Sequence, residues 1–282
     1  VVDFTDAAVS RQELGRMQAK RPKVTVRNLM KEFSIKRNGK PETIRALNEV
    51  SFDVHDGELV AFTGRSGCGK TTTLRLIMGL EQATAGAIEV DGRRVTRCGF
   101  DRGMVFQHAE LLAWRTALAN VEFGLEAKGI PAHERRKTAL KMLEMVGLSH
   151  SLDRRPYQLS GGMKQRVGLA RAFATDPEVL LMDEPFAALD AQTREALQTE
   201  LISLHERTGK TTIFVTHDLD EAVLLADRVF IFSPTGEIHE IVDIDIPHPR
   251  DDVIAIRGSD EFQKKRFYIW KTLKMTDKPQ AE

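Results

Sequence analysis

Two rhythms of apolar residues run along this chain. Short, nearly continuous apolar runs, Leu59-Val60-Ala61-Phe62 and Val179-Leu180-Leu181-Met182, are followed by glycine or by carboxylates, which suits strands buried on both faces of a parallel sheet. Between them, from about 108 to 168, the spacing turns helical. Lys137 to Val146 carries Ala139, Leu140, Met142, Leu143 and Val146 on one face, and Pro131 followed by His133-Glu134-Arg135-Arg136-Lys137 suits a helix start with a solvated charged face. Thr71 to Gly79, with Leu74, Ile77 and Met78, and Met163 to Phe173, with Val167, Leu169, Ala170 and Phe173, also read as helices. The stretch from Val24 to about Val95 is rich in strands, including Val24-Thr25-Val26 and Val50-Ser51-Phe52-Asp53-Val54, and Lys36 to Pro41 reads as a hairpin or connector. Residues 1 to about 20 are polar with little periodicity and read as a loosely attached extension. The pattern predicts an α/β fold whose strand-bearing core is interrupted by a helical insertion.

Chemistry enters where the first apolar run ends. Gly64-Arg65-Ser66-Gly67-Cys68-Gly69-Lys70-Thr71-Thr72 fits G-x-x-x-x-G-K-[ST] between a strand and a helix. The glycines let backbone amides approach phosphate oxygens, and the positive end of the following helix faces the same point. Lys70 supplies a point charge for β- and γ-phosphates, and the Thr71 hydroxyl a ligand for magnesium. The alternative, a glycine-rich turn without a ligand, leaves the lysine and threonine unexplained. After the second apolar run stand Asp183 and Glu184, an arrangement in which one acid helps hold magnesium and its neighbour faces the attacking water. ATP and Mg2+ are the expected cofactors.

Composition narrows the class. The 282 residues permit one large α/β domain with an insertion, or at most two lobes. Lys plus Arg number 41 against 41 Asp plus Glu, so no basic excess points to nucleic acid. No apolar run approaches the roughly 18 residues needed to span a bilayer, and the acidic start is unlike a signal peptide. Two cysteines, Cys68 and Cys98, fit a reducing compartment; Cys68 is read as a loop residue, with an exposed, oxidisable thiol left open.

A kinase or GTPase would lack the segment Leu159-Ser160-Gly161-Gly162-Met163-Lys164-Gln165-Arg166. With the phosphate loop before it and the paired carboxylates after it, this segment makes the chain resemble an ATP-binding cassette, the motor subunit of ABC transporters. The resemblance implies a P-loop NTPase cassette, a RecA-like core with an antiparallel β-subdomain and an inserted α-helical signature subdomain. It further implies that Gln107, in Val105-Phe106-Gln107, contacts magnesium and water, that His217, in Val215-Thr216-His217-Asp218, contacts the γ-phosphate, and that Glu184 is the catalytic carboxylate. Gln107 alone could be a strand end, and His217 alone a structural histidine. Asp190, in Ala188-Leu189-Asp190, matches the family's D-loop, and Phe33 the aromatic that stacks on adenine; its other reading is a strand-end core residue. Ser160, Gly161 and Gly162 would cap the ATP on the P-loop of a second copy, so that two chains sandwich two nucleotides. Glu110-Leu111-Leu112-Ala113-Trp114 matches the neighbourhood that meets the permease, although Trp114 could be core.

Residues 22 to 275 carry the likeness. Arg155-Pro156-Tyr157-Gln158, Asp101 to Gln107, Ile246-Pro247-His248-Pro249-Arg250 and Phe267-Tyr268-Ile269-Trp270 are similar to the ATPases of nitrate, sulfonate and taurine importers. Ala113 in place of a frequent Pro, and Met163 in place of the commoner Gln, depart from the wider family. The expected organisation is an extension over 1–21, a first core part over 22–107, a helical subdomain over 108–168, a second core part over 169–232 and a tail over 233–282. The last 65 or so residues leave no room for a large regulatory domain. The expected partners are a second copy, multi-spanning permease subunits and, through them, a solute-binding protein, at the cytoplasmic face of the inner membrane. A soluble cassette ATPase of repair or translation would normally carry a coiled-coil insertion or a tandem cassette, and neither is seen. A nucleotide sensor without turnover would not need Glu184 and His217.

Overall fold

A computed structural model describes residues 22–37, 40–187 and 189–276. The N-terminal extension, Asn38 and Gly39 of the expected connector, Ala188 and the last six positions, 277–282, lie outside the described residues. The chain forms strands β1 (Pro22–Arg37), β2 (Lys40–His55) and β3 (Leu59–Gly64), helix α1 (Lys70–Met78), and strands β4 (Ala85–Val90), β5 (Arg93–Arg94) and β6 (Arg102–Val105). Helices α2 (Ala117–Ala127), α3 (Ala132–Met145) and α4 (Gly161–Ala174) follow. Then come β7 (Val179–Asp183), α5 (Ala191–Thr208), β8 (Thr211–Val215), α6 (Leu219–Leu225), β9 (Arg228–Phe232), β10 (Ile238–Asp243), α7 (Val253–Gly258) and α8 (Asp260–Thr276).

These strands make two sheets. One is antiparallel and four-stranded, in the order β2-β1-β4-β5. The other has six strands in the order β10-β9-β3-β8-β7-β6, all parallel except the edge strand β10. Its parallel strands are buried along nearly their whole length, and their two-residue period sorts them into two cores. Leu59, Ala61, Leu180, Met182, Phe214, Val229 and Ile231 point into a core shared with the helices. Val60, Phe62, Leu181, Ile213, Phe230 and Phe232 point into a second core against the antiparallel sheet and α1. There Phe52, Phe62, Phe230 and Phe232 form an aromatic cluster with ring centroids 5.2–5.5 Å apart, a spacing at which edge-to-face and offset pairs add to burial.

Four element bounds differ from those read from the sequence. The signature helix begins at Gly161, because the Ser160 side chain caps it by accepting from the Met163 N–H at 3.2 Å, so both glycines lie in its first turn. That helix runs unbroken to Ala174 across the expected boundary at 168. The core sheet likewise continues past 232, since β10, placed in the expected tail, pairs with β9. Strands 24–26 and 50–54 are pieces of one long hairpin whose exposed outer half has no alternating apolar face to reveal it. Among the described residues no helix is long and apolar enough to cross a membrane.

Candidate nucleotide site

The site forms where three parallel strands end side by side. The chain leaves β3 into the loop 64–69, where Gly64, Gly67 and Gly69 all have positive φ and two of them also leave no room for a side chain. Gly64 has φ 145°, and an added Cβ would stand 2.8 Å from the Phe232 carbonyl oxygen; at Gly69, with φ 100°, it would stand 2.4 Å from a Leu47 methyl. The loop therefore presses on β2 and β9 as well as leaving room for a ligand. Arg65, Ser66 and Gly67 are exposed, whereas Cys68 is 2% exposed. Cys68 is thus not the exposed thiol the sequence left open: its side chain faces the inner core, 3.6 Å from the Lys70 ammonium, and burial pushes the thiol up. Lys70 is also buried and donates from Nζ to the carbonyls of Gly64 at 2.8 Å and Arg65 at 2.7 Å.

The neighbouring strands bring the acids. Thr71, in the first turn of α1, donates through its hydroxyl to Asp183 Oδ1 at 2.9 Å. Burial raises the Asp183 carboxyl above the ordinary range, with the Glu184 charge adding to this and the Thr71 bond opposing it. These oxygens form a donor set suited to magnesium, a hard cation that takes one or two protein oxygens beside substrate phosphates. No cluster of three or more His, Cys, Asp or Glu that could hold a metal exists among the described residues.

Glu184 takes up a left-handed backbone conformation, φ 46°, which costs a non-glycine residue about 1–2 kcal/mol. Its N–H still donates to the Val215 carbonyl at 3.0 Å, as if continuing the sheet. The turn aims the carboxylate at two side chains from separate elements. Gln107 Nε2 donates to Glu184 Oε2 at 3.0 Å, and His217 Nε2 lies 2.6 Å from Oε1. Ser66, Gly67, Gly69, Lys70, Thr71, Thr72, Glu184 and His217 together line a pocket of about 120 Å³.

Other expected site residues are not brought to this pocket. Ser160, Gly161 and Gly162 line none of it, and Asp190 caps α5, accepting the Thr193 N–H at 3.0 Å. Phe33 is half-buried on β1 opposite Ile44, with the Lys31 ammonium 4.6 Å from its ring centre, and belongs to neither core. Trp114 is 71% exposed and so is not core.

A larger groove of about 480 Å³ lies beside Gln107, with Met78, Leu80, Phe100, Phe106, Leu112 and Phe123 among its walls. It is tied to the signature helix: Gln165 donates to the Phe106 carbonyl at 3.0 Å, and Arg171 to those of Ala109 and Glu110 at 2.7 and 2.8 Å. The contacts of Gln165, within the signature segment, and of Arg171 could not be read from the sequence, since a polar residue on a helix is ordinarily solvated. Glu221 is hidden for a related reason. Asp218-Leu219-Asp220-Glu221 has the spacing of a helix-start capping pair, but the Glu221 side chain turns inward to the Thr216 hydroxyl and the Gln198 amide.

Comparison with known proteins agrees with this geometry. The family model for the ABC transporter matches residues 47–187. An uncharacterised ABC transporter ATP-binding protein of Methanocaldococcus jannaschii is 50% identical over 253 residues, covering 89% of this chain and 91% of that protein. The nitrate import ATP-binding protein of Synechocystis is 46% identical (80% and 87% covered), and the taurine import ATP-binding protein of Yersinia pseudotuberculosis 45% (82% and 91%). Among solved structures, a dimeric post-hydrolysis state of an ATP-binding cassette bound to ADP and Pi superposes with a TM-score of 0.72 at 34% identity, covering 79% of this chain and all of that one. A phosphate loop, an adjoining acid pair, a glutamine and a histidine converging on one carboxylate, and this pattern of relatives identify the chain as an ATP-binding cassette of the ABC transporter family.

Proposed function

We propose that this chain is the ATP-hydrolysing subunit of an importer for a small oxyanion such as nitrate, a sulfonate or taurine. The observation that carries ATP hydrolysis is the setting of Glu184, held between Gln107 and His217 at the mouth of the phosphate-loop pocket. ATP would lie with its phosphates along residues 64–72 and its adenine against Phe33. Lys70 would exchange its two carbonyl partners for β- and γ-phosphate oxygens. Thr71, Asp183 and Gln107 would hold magnesium, which when bound neutralises charge on the phosphates. Glu184 orients water and accepts its proton as the water oxygen bonds to the γ-phosphorus and the bond to the β,γ-bridging oxygen breaks, leaving ADP and inorganic phosphate; His217 donates to the γ-phosphate. Phosphoryl transfer of this kind depends on positioning and charge stabilisation rather than covalent catalysis.

The signature segment finds its role in a second copy. Ser160 is exposed at the start of a 14-residue helix, where free amides suit an anion, yet it lines no part of the phosphate-loop pocket of its own chain. Two-fold pairing, the commonest oligomer symmetry, would set Ser160, Gly161, Gly162 and Asp190 of one copy over the nucleotide of the other. The dimeric solved relative supports this arrangement. The groove beside Gln107 suits a short cytoplasmic segment of a multi-spanning permease. Through Gln165 and Phe106, such a segment would feel both the water-binding glutamine and the signature helix. The work is then done at the cytoplasmic face of the inner membrane, with a solute-binding protein delivering cargo to the permease. Import, and an oxyanion as cargo, rest on the relatives named for nitrate and taurine.

The test is to purify the chain with the membrane proteins that accompany it and measure ATP-driven uptake of nitrate, taurine and an alkanesulfonate. Uptake of one of them, lost with Glu184→Gln, is expected. Isolation without any multi-spanning partner would favour the soluble non-transport reading.

A further inference from the structure

His217 closes one side of the pocket, and the loop that presents it is fixed from beneath. The Thr216 N–H donates to the Phe62 carbonyl at 3.1 Å, extending the pairing of β8 with β3 by one residue. The buried Thr216 hydroxyl accepts the Asp218 N–H at 3.0 Å and donates to Glu221 Oε2 at 2.5 Å. Glu221, 5% exposed, accepts at Oε1 from Gln198 Nε2 at 3.1 Å, and Gln198 is itself only 1% exposed. Gln198 lies two turns along α5, the helix that Asp190 caps. Its own oxygen accepts from Arg257 of α7 at 2.9 Å, and Arg257 faces Glu195 at 3.6 Å.

We propose that Glu221 is a positioning residue for ATP hydrolysis: its buried carboxylate, clamped between the Thr216 hydroxyl and the Gln198 amide, sets the loop that presents His217 and ties it to the helix begun by Asp190. The inference rests on His217 acting as a phosphate contact. A carboxylate at this depth is an expensive way to join three elements, because apolar side chains of similar volume would pack there more stably. What an apolar residue lacks is direction. One oxygen takes the hydroxyl next to His217 and the other takes an amide from α5, so a shift of either element strains the other's bond. Through Arg257 the same clamp reaches the C-terminal helices.

Burial and the charges around the carboxyl set its protonation. Burial pushes Glu221 up to about 7, with Asp218 on its own loop pushing the same way and the Thr216 hydroxyl, Arg194 of α5 and the Gln198 amide opposing. The other nearby charges are paired or face outward: Arg194 lies 4.0 Å from Asp218, and Arg266 of α8 pairs with Asp220. From β3 the packing is apolar. The ionised form matches two donors with two acceptor oxygens. Protonation turns one acceptor into a donor, so the clamp weakens as pH falls through about 7.

The purified full chain, with ATP and magnesium, is compared with Glu221→Gln, Thr216→Val, Thr216→Ser and His217→Ala. Glutamine keeps the shape but can accept from only one of the two donors. Glu221→Gln is expected to melt no lower than the parent at about pH 8 and to bind ATP within about twofold. It should hydrolyse roughly tenfold more slowly and lose the acid-side fall in rate near pH 7. Thr216→Val should lose rate to a similar degree, and Thr216→Ser should recover it. Parental rate and pH profile in Glu221→Gln, with His217→Ala inactive, would overturn the proposal alone. A rate loss that merely follows a lower melting temperature and weaker ATP binding would also overturn it, assigning Glu221 to packing. Parental turnover in His217→Ala would instead overturn the underlying reading of the site.

Discussion

Single side chains in this cassette carry distinct shares of one task. Among the described residues that line the phosphate-loop pocket, Lys70 is the only lysine or arginine, and it is held by two carbonyls it can exchange for phosphate. A charge-assisted bond is worth about 1.5–3 kcal/mol, so Lys70→Ala should weaken ATP binding roughly tenfold to a hundredfold by calorimetry. Unchanged affinity would mean that backbone amides alone hold the phosphates. Glu184 makes the opposite kind of contribution. Removing its charge in Glu184→Gln leaves its volume and most bonding intact, so ATP should still bind while turnover falls by at least about a hundredfold. With hydrolysis blocked, the ATP-bound variant should accumulate as a two-fold dimer, because ligand binding favours the state that holds it. Light scattering after gel filtration reads this directly; a monomer at micromolar concentration with ATP would count against the sandwich. The positions of Lys70 and Thr71 could be read from their spacing. The left-handed turn at Glu184 could not, since its strain is held by a bond to the neighbouring strand rather than by any local residue preference.

At the scale of elements, the buried strands and α3 were legible because their apolar period and their neighbours in the fold demand the same thing. The C-terminal segment was legible only as a likeness. Its anchor is a cluster of charges drawn from distant parts of the chain: His248 Nδ1 lies 2.5 Å from Glu206 and Nε2 2.7 Å from Asp227. The fully buried Arg250 donates to the carbonyls of Leu224, Ala226 and Ile246. Hydrogen bonding to Asp227 raises the His248 imidazole above its ordinary value, with Glu206 helping and burial and Arg250 opposing. The charged form is therefore favoured in the folded chain. Its contribution is fully present below the unfolded value near 6.5 and is lost as pH rises through the folded one. Buried His205, its neighbour, shifts the other way because desolvation disfavours its charge. The melting temperature of the parent minus that of His248→Asn should accordingly be largest below about pH 6.5 and shrink above it. A difference that does not vary with pH would show that His248 acts only by shape.

At the scale of the whole molecule, the sheet brings parts far apart in sequence to one place. The P-loop, Asp183-Glu184 and His217 meet because β3, β7 and β8 lie in adjacent or near-adjacent positions of one parallel sheet and end at the same edge. Ser160 does not join them, and the proposed second copy completes the site. Ser160→Arg should therefore bind ATP with near-parental affinity, since its own P-loop is untouched, yet lose hydrolysis by roughly a hundredfold as the bulky cation blocks closure. Hydrolysis at the parental rate would exclude the shared site. The groove, the signature helix and Gln107 form another unit, joined by the Gln165 bond to Phe106. What the sequence determined by itself was the chemistry that depends on neighbours along the chain. The phosphate loop needs glycines, a lysine and a threonine in fixed order, the buried strands need continuous apolar runs, and the acid pair needs to follow such a run. Only the tertiary structure decided what depends on neighbours in space: that Cys68 is buried, that Glu184 meets Gln107 and His217, and that Glu221 turns inward beneath the histidine loop. These choices turn on desolvation and on the direction of single hydrogen bonds, and neither is specified until the sheet has brought the strands together.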